Sequence, residues 1–155
     1  MKTHTLEQTI NHLTKEIQMN HFSNVKDIDN KLAEIMAFND YLVIRPLARL
    51  LEDNAQYDEA IFSIIHSIES FNDDIYISEI INEFPYLVSK SPYWATILLT
   101  RILNSNTARE CMIEKVSLAT PTIKSSILFL LQRLNEEKPK FSEKIIPLMK
   151  AVSTI

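Results

Sequence analysis

The 155-residue chain contains no glycine. Phosphate-binding loops, dinucleotide fingerprints and the sharp elbow that presents a nucleophilic serine all need glycine, for positive φ or close backbone approach. Without it those classes are excluded. Tight two-residue hairpins lose their preferred residue as well, which argues against a β-rich fold. Cysteine is nearly missing: Cys111 stands alone, so no internal disulfide can form and nothing points to an oxidising compartment. No apolar run approaches the roughly 20 residues of a membrane span. The N-terminal MKTHTLEQTINHL is too polar for the core of a signal peptide. Cytoplasmic residence, as a monomer, is the expectation.

What is present is helical periodicity. A chain of this length is expected to fold as one domain, burying about 68–70% of its unfolded surface without a disulfide or metal. Leu6, Ile10, Leu13 and Ile17 form one stripe, and Val25, Ile28, Leu32, Ile35 and Met36 another. Further stripes run through Ile61, Ile64, Ile65 and Ile68, and through Ile77, Ile80, Ile81 and Phe84. Thr5 with Gln8 reads as a capping box, and Thr107 with Glu110 as a second. Ser91-Pro92 and Thr120-Pro121 each place a capping residue before a proline at the first helical position. Ser23 or Asn24, Asp58, and Asp73 or Asp74 are expected to open helices. Pro46 marks either a late start or a kink, Pro85 an ending and Pro147 a bend. With glycine absent, asparagine is the next-best residue for a left-handed helix ending. Asn20, Asn39, Asn72, Asn104 and Asn135 each follow an apolar run and read as such endings.

The stretch SPYWATILLTRILNSN, residues 91–106, is apolar around most of its circumference and carries the only tryptophan, Trp94. A helix of that kind is buried. Its LLTRILN resembles LLQRLN at 130–135, and more faintly IIHSIE at 64–69, a spacing of 32 to 34 residues. That is the length of a helix pair in a solenoid. Any two amphipathic helices share some of this similarity. The fold expected is all-α, a short HEAT-like helical-repeat solenoid of about eight or nine helices. Residues 1–39 would form an N-terminal cap and residues 40–155 helix-pair repeats in a single domain.

The net charge of −4 hides an asymmetry. Residues 40–83 hold ten acids against Arg45 and Arg49, whereas residues 84–155 hold ten bases against five acids. Helix caps account for individual acids but not for the shortage of bases. One face of this segment is therefore expected to be negative: a landing surface for a basic partner, or a solvated face that keeps the chain soluble. The candidate contact residues are Asp53, Tyr57, Asp58, Glu59, Glu69, Asp73, Asp74, Tyr76, Glu79 and Glu83, the tyrosines because tyrosine is a frequent interface anchor. Tyr41 lies in the same region.

Other chemistry finds little support. His4, His12, His21 and His66 lack the paired ligand spacing of a zinc site. Cys111, beside Met112 and Ile113, reads as a small buried hydrophobe. The pairs Glu52-Asp53, Asp58-Glu59, Asp73-Asp74 and Glu136-Glu137 look like caps and turns, not a catalytic dyad. No catalytic residue, cofactor or metal is expected. Scattered bases and a negative total argue against direct nucleic-acid binding, and faces of mixed sign argue against membrane association. Arg101 and Arg133, at equivalent repeat positions, are expected to pair with a nearby acid or helix end.

SPYWATILLTRILNSNTAREC, residues 91–111, resembles the most recognisable stretch of an all-helical class of bacterial immunity proteins, immunity protein family thirty. Pro92, Trp94, Arg101, Ile102, Leu103 and Asn104 carry most of the likeness, which extends over about residues 41–134 and is weaker in the first 39. The resemblance implies a HEAT-like solenoid that acts by binding, without catalysis. Such proteins accompany a polymorphic toxin, often the C-terminal domain of a contact-dependent growth inhibition effector. Many of these toxins are nucleases, frequently RNases, some of the EndoU type. The partner implied is thus a basic nuclease toxin whose active site or substrate surface the acidic helices would cover. The alternative is a generic helical-repeat scaffold or adaptor for a protein or peptide.

Overall fold

The computed structural model describes residues 5–18, 25–55 and 58–153. Within them the chain is all-α: ten helices joined by short turns, and no strand. They are α1 (Leu6–Gln18), α2 (Val25–Met36), α3 (Ile44–Ala48), α4 (Asp58–Glu69), α5 (Asp73–Ile80), α6 (Phe84–Lys90), α7 (Pro92–Leu103), α8 (Asn106–Val116), α9 (Pro121–Glu137) and α10 (Ser142–Val152). Single 3-10 turns at Tyr41–Val43, Ile81–Glu83 and Pro139–Phe141 lead into α3, α6 and α10.

Helix starts follow local chemistry. At α1 the Thr5 amide donates to Gln8 Oε1 (3.0 Å) and the Gln8 amide to Thr5 Oγ1 (3.2 Å), the reciprocal pattern of a capping box. Thr120 accepts from the Ile123 amide ahead of Pro121, and Asp40 from the Leu42 amide. Pro46 sits in the first turn of α3, so the late start applies there. Three expectations are corrected, and the start of α7 adds a fourth. Asn72, not Asp73 or Asp74, caps α5, accepting from the Ile75 amide at 2.9 Å. Ser105, not Thr107, caps α8. Pro85 opens α6 instead of ending α5, because proline fits a first turn that needs no amide donor there. This extra helix raises the number above the eight or nine expected.

Asparagine replaces glycine at one ending: Asn39 has φ 49°, the only positive φ among the described residues. Asn104 ends α7 in right-handed geometry, Asn72 starts a helix, and Asn135 lies inside α9. Asn20, Ser23 and Asn24 fall outside the described residues.

The core is one continuous cluster running from Leu13 to Val152. Helix α5 lies against α8 and α8 against α10, α6 packs on α9, and α7 contacts α6, α8 and α9. At the N-terminal end α1 packs on α2 and α2 on α4. Helix α7 buries Trp94, Ala95, Leu98, Leu99, Ile102 and Leu103, but is not covered all round. Tyr93 is exposed, and Ile97 and Thr100 line an open groove with Phe62 and Leu134.

The start of α7 is fixed from outside. Ser91 is buried, and its hydroxyl makes no cap but donates to Leu51 O at 2.5 Å. The cap comes from Asp53, whose two carboxylate oxygens accept from the Tyr93 and Trp94 amides at 3.2 and 3.3 Å. The Trp94 indole N–H donates to Glu52 O at 3.0 Å. The turn at 52–53 therefore holds the α7 N-terminus by side chain and backbone together.

Candidate functional site

Residues 40–83 were expected to present their acids outward, and the structure divides them. Asp58 and Glu59 are exposed in the first turn of α4. Asp74 is exposed on α5 and pairs with Lys115 of α8 at 2.9 Å. Asp53 is occupied with the α7 amides. Glu79 is half-buried, and Tyr57 lies outside the described residues. Glu83 is buried, its two oxygens each receiving an arginine Nε at 2.8 Å, from Arg45 and from Arg49. It offers nothing to a partner, because one carboxylate bound by the segment's two arginines forms a closed internal cluster. Arg49 also stacks 4.6 Å above the Tyr86 ring. Tyr76 is likewise withdrawn from the surface, being packed among the helices. Tyr41 remains exposed.

The remaining acids, Glu69 and Asp73, meet at the corner where the α4–α5 and α7–α8 turns lie side by side. Glu69 ends α4 and accepts two bonds from Arg101, from Nε at 2.9 Å and from Nη2 at 2.7 Å. This planar, two-point pairing raises the Arg101 pKa further, chiefly through the hydrogen bonds to Glu69. Asp73 accepts from the Thr107 hydroxyl. Asn104 accepts from Lys144 Nζ at 3.0 Å, so α10 joins the same corner. Between them lies a cavity of about 400 Å³ whose lining includes Glu69, Asp73, Tyr76, Arg101, Asn104 and Ser105. The phenol of Tyr76 is pushed well above its ordinary pKa, first by burial and then by the negative charge of Glu69.

Arg101 and Glu69 stand 32 residues apart, the spacing at which similar segments recur in the sequence. The pairing of Arg101 with a nearby acid was expected; the cavity it frames was not. The available signal was that offset, which matches Glu69 to Arg101. Arg133 shows why the motif does not recur. The position one repeat before it is Arg101, not an acid, and Arg133 instead pairs weakly with Glu137 at 3.7 Å within its own helix.

Cys111 is half-buried, and its thiol pKa is raised by burial first, then by Asp73 and Asp74. That disfavours the thiolate a nucleophile requires. Among the described residues no group of three or more His, Cys, Asp or Glu side chains is placed to hold a metal ion. No helix among them is long and apolar enough to cross a membrane.

The sequence pattern of the family described as immunity protein 30 matches residues 7–112. The match takes in the N-terminal helices, where the likeness had looked weaker, and stops within α8. No curated protein and no solved structure matches the chain.

Proposed function

The chain belongs to the immunity protein 30 family, and on that premise we propose that it neutralises a cognate toxin domain by binding it, without catalysis of its own. The family match over residues 7–112 is the observation that carries this reading. On the same reading the toxin is a basic nuclease, an RNase of the EndoU type being one candidate, and the acids that contact it are those the fold leaves outward. Asp58 and Glu59 at the start of α4 lead; Glu69, Asp73 and Asp74 lie toward its other end, and Asp53 and Glu79 complete the set. Exposed carboxylates facing a cleft built for a polyanion would block substrate and speed association together.

The test is co-purification with the product of the adjacent upstream gene, followed by affinity measurement on the double variant Asp58→Lys, Glu59→Lys. Both positions are exposed, so circular dichroism should stay native, with about 1 kcal/mol or less lost through the α4 dipole. Toxin affinity is expected to fall by about tenfold or more, the scale of two reversed charges at an interface. If the neighbouring product neither binds nor harms cells lacking this protein, the proposal fails. Unchanged affinity in the double variant moves the contact away from the start of α4.

A further inference from the structure

We propose that the cavity between the α4–α5 and α7–α8 turns seats one lysine or arginine side chain of the toxin, an inference that rests on the toxin-binding reading above. The observation behind it is Tyr76. Its residue is 3% exposed, it lines this cavity, and its hydroxyl has no hydrogen-bond partner among the described residues. A buried hydroxyl without a partner costs roughly 1–3 kcal/mol. The same ring with hydrogen in place of oxygen would avoid that cost. A polar atom kept there at the expense of stability has a use when another molecule arrives.

The surrounding charges decide what arrives. Among the lining residues Glu69, Asp73 and Arg101 leave one surplus negative charge, and Lys144, bonded to Asn104, brings one positive charge from outside the lining. Arg101 already directs Nε and Nη2 to Glu69. An incoming anion would meet a guanidinium that is already neutralised, with two carboxylates beside it. A cation meets the Asp73 carboxylate, whose one donor among the described residues is the Thr107 hydroxyl, with the buried Tyr76 oxygen behind it. At about 400 Å³, near the lower end of ligand cavities, this one has room for the end of one long side chain with water beside it. The walls are set in advance, since Glu69 is held by Arg101, Asp73 by Thr107 and Asn104 by Lys144. Little ordering is left to oppose binding. The acids at the start of α4 would then attract the toxin, and this corner would fix its register.

The decisive variant is Tyr76→Phe, which removes one oxygen and keeps the ring. Its Tm is expected to equal or exceed that of the wild type, while the Kd for the toxin rises about ten- to a hundredfold, the effect of losing one hydrogen bond to a charged group. Asp73→Asn should weaken binding in the same direction. An unchanged Kd in Tyr76→Phe overturns the proposal. So does a clear fall in Tm, which would mean the hydroxyl is satisfied within the fold. If the wild-type protein binds no toxin, the parent reading fails and the cavity is tested by itself. Ethylguanidinium is titrated against protein carrying ¹³C-labelled tyrosine. A saturable shift of the Tyr76 resonance, lost in Asp73→Asn, supports a cation seat. No saturable response, or one produced by inorganic phosphate instead, overturns it.

Discussion

Glu83 shows at the scale of one residue how composition can mislead. Its carboxylate is 1% exposed, yet the two arginines bound to it are 48% and 53% exposed. The consequences of cutting this cluster are therefore unequal. Arg45→Ala with Arg49→Ala leaves a buried carboxylate without a partner, and stability is expected to fall by roughly 3–5 kcal/mol. Glu83→Leu leaves two guanidiniums that can turn to water, and should cost about 1 kcal/mol or less. Urea unfolding of both variants gives the comparison; a larger loss in Glu83→Leu would refute this account. From the sequence, Glu83 was one of ten acids in a segment poor in bases. No periodicity signals that the two arginines converge on it from positions 34 and 38 residues away. Tyr76 misled for a related reason. Tyrosine is common both at interfaces and inside cores, and only packing against a neighbouring helix decides between them.

At the scale of the element, α7 is the helix whose place was most legible and whose start was least. Trp94, Leu98, Leu99, Ile102 and Leu103 announce a buried face through their spacing, and all are buried. Pro92 at the first helical position followed from the sequence, as did Thr120-Pro121 at α9. Ser91 stands where a local cap belongs, but its hydroxyl turns inward to Leu51 O, and Asp53 supplies the cap from 40 residues away. Caps within three residues can be inferred from the chain, as Thr5 and Gln8 show; a cap lent by another turn depends on tertiary packing. Asp53→Ala should cost about 0.5–2 kcal/mol, the usual loss of an N-cap side chain. Asp53→Asn should cost less, since it keeps one acceptor and loses only the dipole attraction. Equal stability of wild type and alanine variant in chemical denaturation would show that the Trp94 indole bond to Glu52 O holds the junction unaided. The missing glycines produced a similar limit. Among the described residues only Asn39 takes the left-handed ending, because most junctions there close through right-handed turns or run directly into the next helix.

At the scale of the whole molecule, the sequence-level asymmetry survives in reduced form. Residues 40–83 carry ten acids and two bases, but Glu83, Glu69 and Asp74 are paired with Arg45, Arg49, Arg101 and Lys115. Two of those cations belong to the basic second half, so the stack of α5 on α8 joins the acidic and basic parts of the chain and neutralises some of the charge between them. What reaches solvent at the start of α4 is a smaller negative patch than the composition implies. Such a patch acts through the rate of encounter more than through the lifetime of the complex. Raising the ionic strength from about 0.05 M to about 0.5 M shortens the screening length to below ~5 Å. The association rate constant for the toxin should then drop by about tenfold or more, with little change in dissociation. In the Asp58→Lys, Glu59→Lys variant this salt dependence should largely vanish. Tyr76→Phe should instead raise the dissociation rate and leave the salt dependence intact, because a desolvated contact inside a cavity is little affected by ions in bulk water. Stopped-flow mixing over a salt series separates the two. Association that is indifferent to salt in the wild type would remove the acidic face from the mechanism, and complementary shape would have to carry recognition in its place.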